Sequence, residues 1–202
     1  MLPSIFAKVL VIVIFFPLHA CVHTWVAEKL GDSTARDNGR FTLNPFRQLD
    51  IMGILMMILS DVGYEKAVPV FSEEFRRQRL DFILTALAGP VFHILMAILF
   101  LILAGTDQLV KSQAVFELKQ TMLMIAMINI KVAIFNLIPF PPLDGSRVLM
   151  AFLSDRKRET LLKWETYTPF ALFAAVLLFY LFDLTPVTAI ARWIFNGLAS
   201  VF

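Results

Sequence analysis

The sequence predicts an all-α polytopic membrane protein, with about four to six transmembrane helices, a small extended or β-hairpin element and a re-entrant segment. Three observations predict it. The 202 residues are 58% hydrophobic with a mean hydropathy of +0.75, whereas soluble domains run nearer half apolar. Only 17% of the residues are charged, against about a quarter in soluble domains. The apolar residues also come in long blocks, the signature of bilayer-crossing helices. The 20 phenylalanines suit lipid-facing surfaces, and the single cysteine, Cys21, excludes an internal disulfide framework. The net charge of +2 says little about partners.

Four stretches are long enough to cross a bilayer, which takes about 20 residues: roughly 5–28, 82–104, 121–140 and 166–184. The first resembles a signal peptide, with Lys8 before Val9–Phe16. It has no small-x-small cleavage site and runs on through Trp25, so it reads as a retained span. Ile51–Leu59 is too short to cross and reads as re-entrant or interfacial. Val187–Phe202 carries Arg192 and Asn196 and reads as an interfacial helix or a last short span. Nothing marks a domain boundary, so residues 1–202 form one integral membrane domain, with a core of about 5–150 and C-terminal helices of about 160–202.

Basic residues orient the map. With four spans, residues 29–81 and 141–165 share one side and hold thirteen Lys and Arg. The other side holds four: Lys8, Lys111, Lys119 and Arg192. The richer side is predicted to be cytoplasmic. Were 51–59 to cross, the sides after it would swap and the bias would largely vanish. Of the polar connections, Gly39-Arg40-Phe41-Thr42-Leu43-Asn44-Pro45 reads as a short strand and turn. Ala67-Val68-Pro69-Val70 reads as extended, because proline disfavours helix in the residue before it.

His19 and His23 stand at i, i+4 in the second half of the first span, so both imidazoles share one helix face. Two histidines at this spacing chelate one Zn²⁺ in H-E-x-x-H helices. The pair alone leaves two readings open, packed polar residues or metal ligands. Asp144 follows the third span in Phe135-Asn136-Leu137-Ile138-Pro139-Phe140-Pro141-Pro142-Leu143-Asp144-Gly145-Ser146-Arg147. On spacing alone it is a helix stop, with Gly145 permitting an unusual backbone conformation. The charge count places it on the same side, and at similar depth, as the two histidines. A carboxylate beside two imidazoles, with a fourth position open, is the usual catalytic zinc set.

Here the sequence resembles the short, prokaryotic-type site-2 proteases, a family of intramembrane zinc metalloproteases. The resemblance covers about residues 10–150. It is carried by His19-Ala20-Cys21-Val22-His23, Trp25–Asp32, Gly39–Pro45, Lys66–Val70, Ala88-Gly89-Pro90 and Phe135–Arg147. It implies one Zn²⁺ per chain held by His19, His23 and Asp144. It also implies hydrolysis of a peptide bond within or near the membrane, in the transmembrane segment of a protein substrate in a prokaryotic cell membrane; the charge count puts the metal site toward the cytoplasm.

Two positions depart from the family. Its glutamate follows the first histidine, and here that position is Ala20. A methyl group cannot take a proton from water or pass one to a leaving amine, and losing a general base costs about 10²–10⁴-fold in rate. Metal binding without normal proteolysis is the expectation, whether Ala20 marks an inactivated protease or a natural adaptor that binds clients uncut. The second departure is His93, where the family usually has asparagine. It offers a hydrogen bond to substrate or to developing charge, a substitute base or a fourth ligand, and equally a buried histidine bonded to a neighbouring helix.

Asn129, Lys131 and Asn136 read as interhelical hydrogen bonds and snorkelling within a span. Asn136 also qualifies as a residue shaping the site. Cys21 lacks i+3 or i+4 spacing to both histidines and reads as packing. Arg156-Lys157-Arg158 reads as an anchor near anionic lipid, not a nucleic-acid site. A metal carrier is disfavoured, since no second polar relay crosses the membrane. Substrate identity and oligomeric state leave no mark in the sequence.

Overall fold

The computed structural model of the chain describes residues 2–105, 112–184 and 186–201. Lys111, one of the four basic residues on the poorer side, and Phe202, the end of the predicted tail, lie outside them. Three helices in the described residues are long and apolar enough to cross a membrane. They are α1 (Ser4–Leu30), α5 (Gln78–Gly105) and α6 (Gln113–Asn136). Short helices join them: α2 (Thr34–Asp37), α3 (Pro45–Gln48) and α4 (Ile51–Ser60) between α1 and α5, then α7 (Asp144–Met150), α8 (Asp155–Trp164), α9 (Thr168–Leu181) and α10 (Pro186–Ala199).

The three long helices form the core. Ala7, Val11 and Phe15 of α1 pack on Ile125, Ile128 and Val132 of α6. Ala97 and Leu101 of α5 pack on Ala126 and Ile130 of α6, with Ala191 of α10 closing that cluster. Small residues at these crossings let the backbones approach closely. Within α1, Val11–Phe15 widens into a π-helical turn. Pro17 follows it; proline has no N–H to give to the carbonyl four residues back, and its ring crowds that carbonyl.

The segment 49–65 leaves the level of His19 and comes back to it. Asp50 caps α4, its Oδ1 accepting from the N–H of Met52 and Gly53. Ten residues of helix rise about 15 Å and end at Asp61, which is in the left-handed conformation. There Asp61 pairs with Lys8 of α1 and Lys131 of α6, each at 2.9 Å. Extended chain then returns, and Leu49 and Glu65 meet as an isolated antiparallel bridge. That bridge is made by the Lys66 N–H, which donates to the Gln48 carbonyl at 2.7 Å. A segment whose two ends touch does not cross, which agrees with the re-entrant reading of 51–59.

Three expectations change. The predicted β-hairpin is absent: no strand occurs among the described residues, and the Leu49–Glu65 bridge stands alone. In the stretch 39–45 the Gln48 amide donates to the carbonyls of Arg40 and Thr42, which therefore need no partner strand. Asn44 then caps α3, whose first residue is Pro45. The predicted span 166–184 is α9, only 14 residues, bent 63° from α8; it counts as a fourth crossing only if the bent pair is one span. Gly145 has an ordinary helical backbone, and its need is for space: a Cβ there would stand 2.2 Å from the Leu137 carbonyl oxygen.

Candidate metal centre

His19 and His23 occupy the buried face of α1, one turn apart, with their Nε2 atoms 2.7 Å from each other. The His23 ring is fixed from behind, because its Nδ1 lies 2.7 Å from the Thr85 carbonyl of α5. A carbonyl only accepts, so Nδ1 carries the proton and Nε2 presents a lone pair toward His19. A second group that holds the ring and sets the tautomer in this way is usual for a metal-ligating histidine. Gly89 of α5 makes the close approach possible. A methyl there would stand 2.0 Å from His19 Nε2 and 2.3 Å from His23 Nε2.

Asp144 arrives from the third direction, at the start of α7. Its two oxygens reach the two imidazoles, Oδ2 at 3.1 Å from His19 Nε2 and Oδ1 at 3.2 Å from His23 Nε2. The turn that delivers it is built by the prolines after α6 and by Gly145 against the Leu137 carbonyl. Three residues predicted from two separate sequence stretches are thus brought to one point.

A fourth group joins them that the sequence reading did not single out. Glu65, at the returning end of the re-entrant segment, is buried, and its Oε1 lies 3.1 Å from His19 Nε2. Its Oε2 is buried without a hydrogen-bond partner among the described residues. The donors of His19, His23 and Glu65 lie within 4.8 Å of one another. The signal available in the sequence was a lone acid just before the extended run Lys66–Val70, in a chain whose histidine motif lacks one.

The electrostatics separate the two carboxylates. Burial alone pushes Asp144 up, but His23 and His19 outweigh it and hold its carboxyl well below the usual carboxylate range. Burial pushes Glu65 above that range and Asp144 adds to this, against the pull of His19 and His23. One bare imidazole lone pair, a second imidazole and two carboxylates face a common point with few protons to share. Such a set fits a divalent cation. Two imidazole nitrogens with carboxylate oxygen suit Zn²⁺. Tetrahedral bonds of about 2.0 Å would set ligand atoms about 3.3 Å apart; Asp144 stands 3.1 and 3.2 Å from the imidazoles, and the two Nε2 atoms are closer together, at 2.7 Å. Beside the cluster lies a cavity of about 30 Å³, lined among others by His23, Glu65, Thr85, Asn136, Asp144 and Arg147. That is room for water.

Ala20 and His93 fall outside the donor set. Ala20 is fully buried in an apolar cluster with Ala35 and Val68. His93 is buried with its ring centroid 4.8 Å from that of His19. Its Nδ1 lies 2.7 Å from Asn129 Oδ1, and the Asn129 amide nitrogen donates to the Ile125 carbonyl. Oδ1 therefore accepts, Nδ1 of His93 carries the proton, and Nε2 is a lone pair without a partner among the described residues. In this tautomer Nε2 accepts a hydrogen bond and does not donate the one expected of it. Asn136 donates to the carbonyls of Gly63 and Val132, tying α6 to the returning extended chain. The Cys21 thiol donates to the Thr42 carbonyl at 3.3 Å.

The model of Peptidase family M50 matches residues 103–181, which take in Asp144 but neither histidine of α1. A Bacillus subtilis (strain 168) protein named "Putative zinc metalloprotease YwhC" is 30% identical over 189 residues, covering 92% of this chain and 83% of that protein. A Mycolicibacterium smegmatis protein named "Putative zinc metalloprotease Rip2" is 25% identical over 184 residues, covering 89% of this chain and 66% of that one. No solved structure matches the chain significantly. Thirty per cent identity sustained along nearly the whole chain reflects common descent: the chain belongs to peptidase family M50, the site-2 protease family.

Proposed function

We propose that the chain is an intramembrane zinc metalloendopeptidase that acts on the transmembrane segment of a protein substrate. One observation carries the reading: His19, His23 and Asp144, from two separate helices, converge within 3.2 Å beside a cavity that admits water. The names of the two relatives support zinc, and the donor set fits it. His19, His23 and Asp144 would hold one Zn²⁺ per chain. When bound, zinc polarises a peptide carbonyl and makes water a nucleophile near neutral pH.

The chain's own residues do the rest. Thr85 fixes the His23 tautomer, and Asp144 balances the charge of the ion. The extended run after Glu65 offers an edge along which an unwound substrate can lie. The apolar faces of α1, α5 and α6 make this a multi-pass protein of the lipid bilayer. The thirteen-to-four bias of basic residues turns the site toward the cytoplasm.

Elemental analysis of purified protein tests the reading. It expects about one zinc per chain, lost in Asp144→Asn. Zinc content unchanged by that substitution would sink it. A second reading is favoured by Ala20: an adaptor that binds clients in the same groove and releases them uncut. Its mark is zinc bound with no cleavage of any membrane helix offered.

A further inference from the structure

Ala20 stands where the family has glutamate, yet besides Asp144 a second carboxylate stands in the site. We propose that Glu65, delivered by the re-entrant segment, is the proton-transfer group of this enzyme, so that the chain is an active peptidase. The inference rests on the metallopeptidase reading above.

Four observations carry it. Glu65 Oε1 is 3.1 Å from His19 Nε2, which places the carboxylate at the donor cluster and not merely near it. Its other oxygen is buried without a partner among the described residues and is free to take a proton. Glu65 lines the water-sized cavity together with His23 and Asp144. The bridge to Leu49, made through the Lys66 N–H on the Gln48 carbonyl, holds its backbone.

The roles of the two carboxylates follow from their contacts. Asp144 sets one oxygen against each imidazole. Glu65 meets only His19 and keeps an oxygen in reserve. His93 Nε2, also without a partner among the described residues, is not among the groups lining the cavity, and its ring is pinned by Asn129. Position 20 has meanwhile become core, its methyl packed with Ala35 and Val68. A carboxylate there would be buried against apolar groups.

The step balances within the site. A water in the cavity gives one proton to Glu65 as its oxygen bonds to the peptide carbonyl carbon. The C–N bond then breaks, and Glu65 returns that proton to the departing amine nitrogen. The carboxylate is regenerated, and the products are one carboxylic acid and one amine. No oxidant or second reactant is needed.

The test compares the full chain with Glu65→Gln, which keeps the shape of the side chain and removes the base. Three readouts are taken in detergent: zinc per chain, affinity for acetohydroxamate, and cleavage of a pool of synthetic single-span peptides. Acetohydroxamate gives up a proton when it chelates zinc, and a neighbouring carboxylate receives it. The expected result is a parent chain that binds zinc and cleaves. The variant keeps its zinc, binds acetohydroxamate more weakly and cleaves about 10²–10⁴-fold more slowly. Loss of zinc in the variant would make Glu65 a ligand and overturn the proposal. Undiminished cleavage by the variant, or a zinc-loaded parent chain that cleaves none of the pool, would overturn it too, while leaving the metal site standing. A parent chain without zinc would remove the metallopeptidase reading and this proposal together.

Discussion

At the scale of single residues, the site is held by what surrounds the donors as much as by the donors. Gly89 is the clearest case, because its missing side chain is the space the imidazole tips occupy. Gly89→Ala puts a methyl where His19 and His23 meet. Overpacking of this kind costs about 1–3 kcal/mol, and here the atoms displaced are the metal donors. The expected outcome is weakened zinc binding with helicity preserved, read by zinc titration alongside circular dichroism. An unchanged zinc affinity would mean that α5 stands further from α1 than the structure has it. The convergence of His19, His23 and Asp144 was legible in the sequence, because helical spacing paired the histidines and the charge count put Asp144 on the same side at similar depth. Glu65 was not, because a lone acid in a connection has no periodicity, and its meaning depends on which chain end it meets in space.

At the scale of elements, the re-entrant segment is fastened at both ends. Its near end is the Leu49–Glu65 bridge, and its far end is Asp61 between Lys8 and Lys131. Lys131, read from sequence as snorkelling, is 7% exposed and ion-paired instead. Burial pushes the Asp61 carboxyl up, but Lys8 and Lys131 outweigh it and hold it below the usual carboxylate range. A carboxylate depressed in the folded state contributes stability that is present above its unfolded value, about pH 4. That stability is lost as pH falls through the lower folded value. The Asp61 contribution to thermal stability should therefore be constant above about pH 5 and fall in the acid range. Asp61→Asn removes the partner of a buried ammonium, at a cost of about 3 kcal/mol, and should remove the Asp61 share of that acid dependence. A variant with the parent's melting profile across this range would show that the triad carries no stability. The helices themselves were readable as apolar blocks. The predicted strand at 39–45 was not realised, because the Gln48 side chain supplies the bonds that a partner strand would have made.

At the scale of the whole molecule, the architecture rests on two independent lines that agree. The bias in basic residues required 51–59 not to cross, and the contact of Leu49 with Glu65 shows its two ends together. Fold class was legible because lipid imposes long apolar runs on any spanning helix. The C-terminal helices were read less well, since α9 and α10, at 14 residues each, are shorter than a bilayer crossing and packing fixes their place. The run that follows Glu65 has a consequence for selectivity. It is tethered at one end by the Lys66 N–H on Gln48 and at the other by the Phe71 N–H on the buried Asp32 carboxylate. A chain laid along such an edge must first give up its own helical hydrogen bonds, each worth several kcal/mol in hydrocarbon. Choice among client proteins should then follow how readily a transmembrane helix melts locally, more than which side chains it shows. Paired peptides differing only by a central Gly-Pro in place of Leu-Leu would separate in cleavage rate, with the broken helix cut faster. Equal rates would assign selection to side-chain recognition.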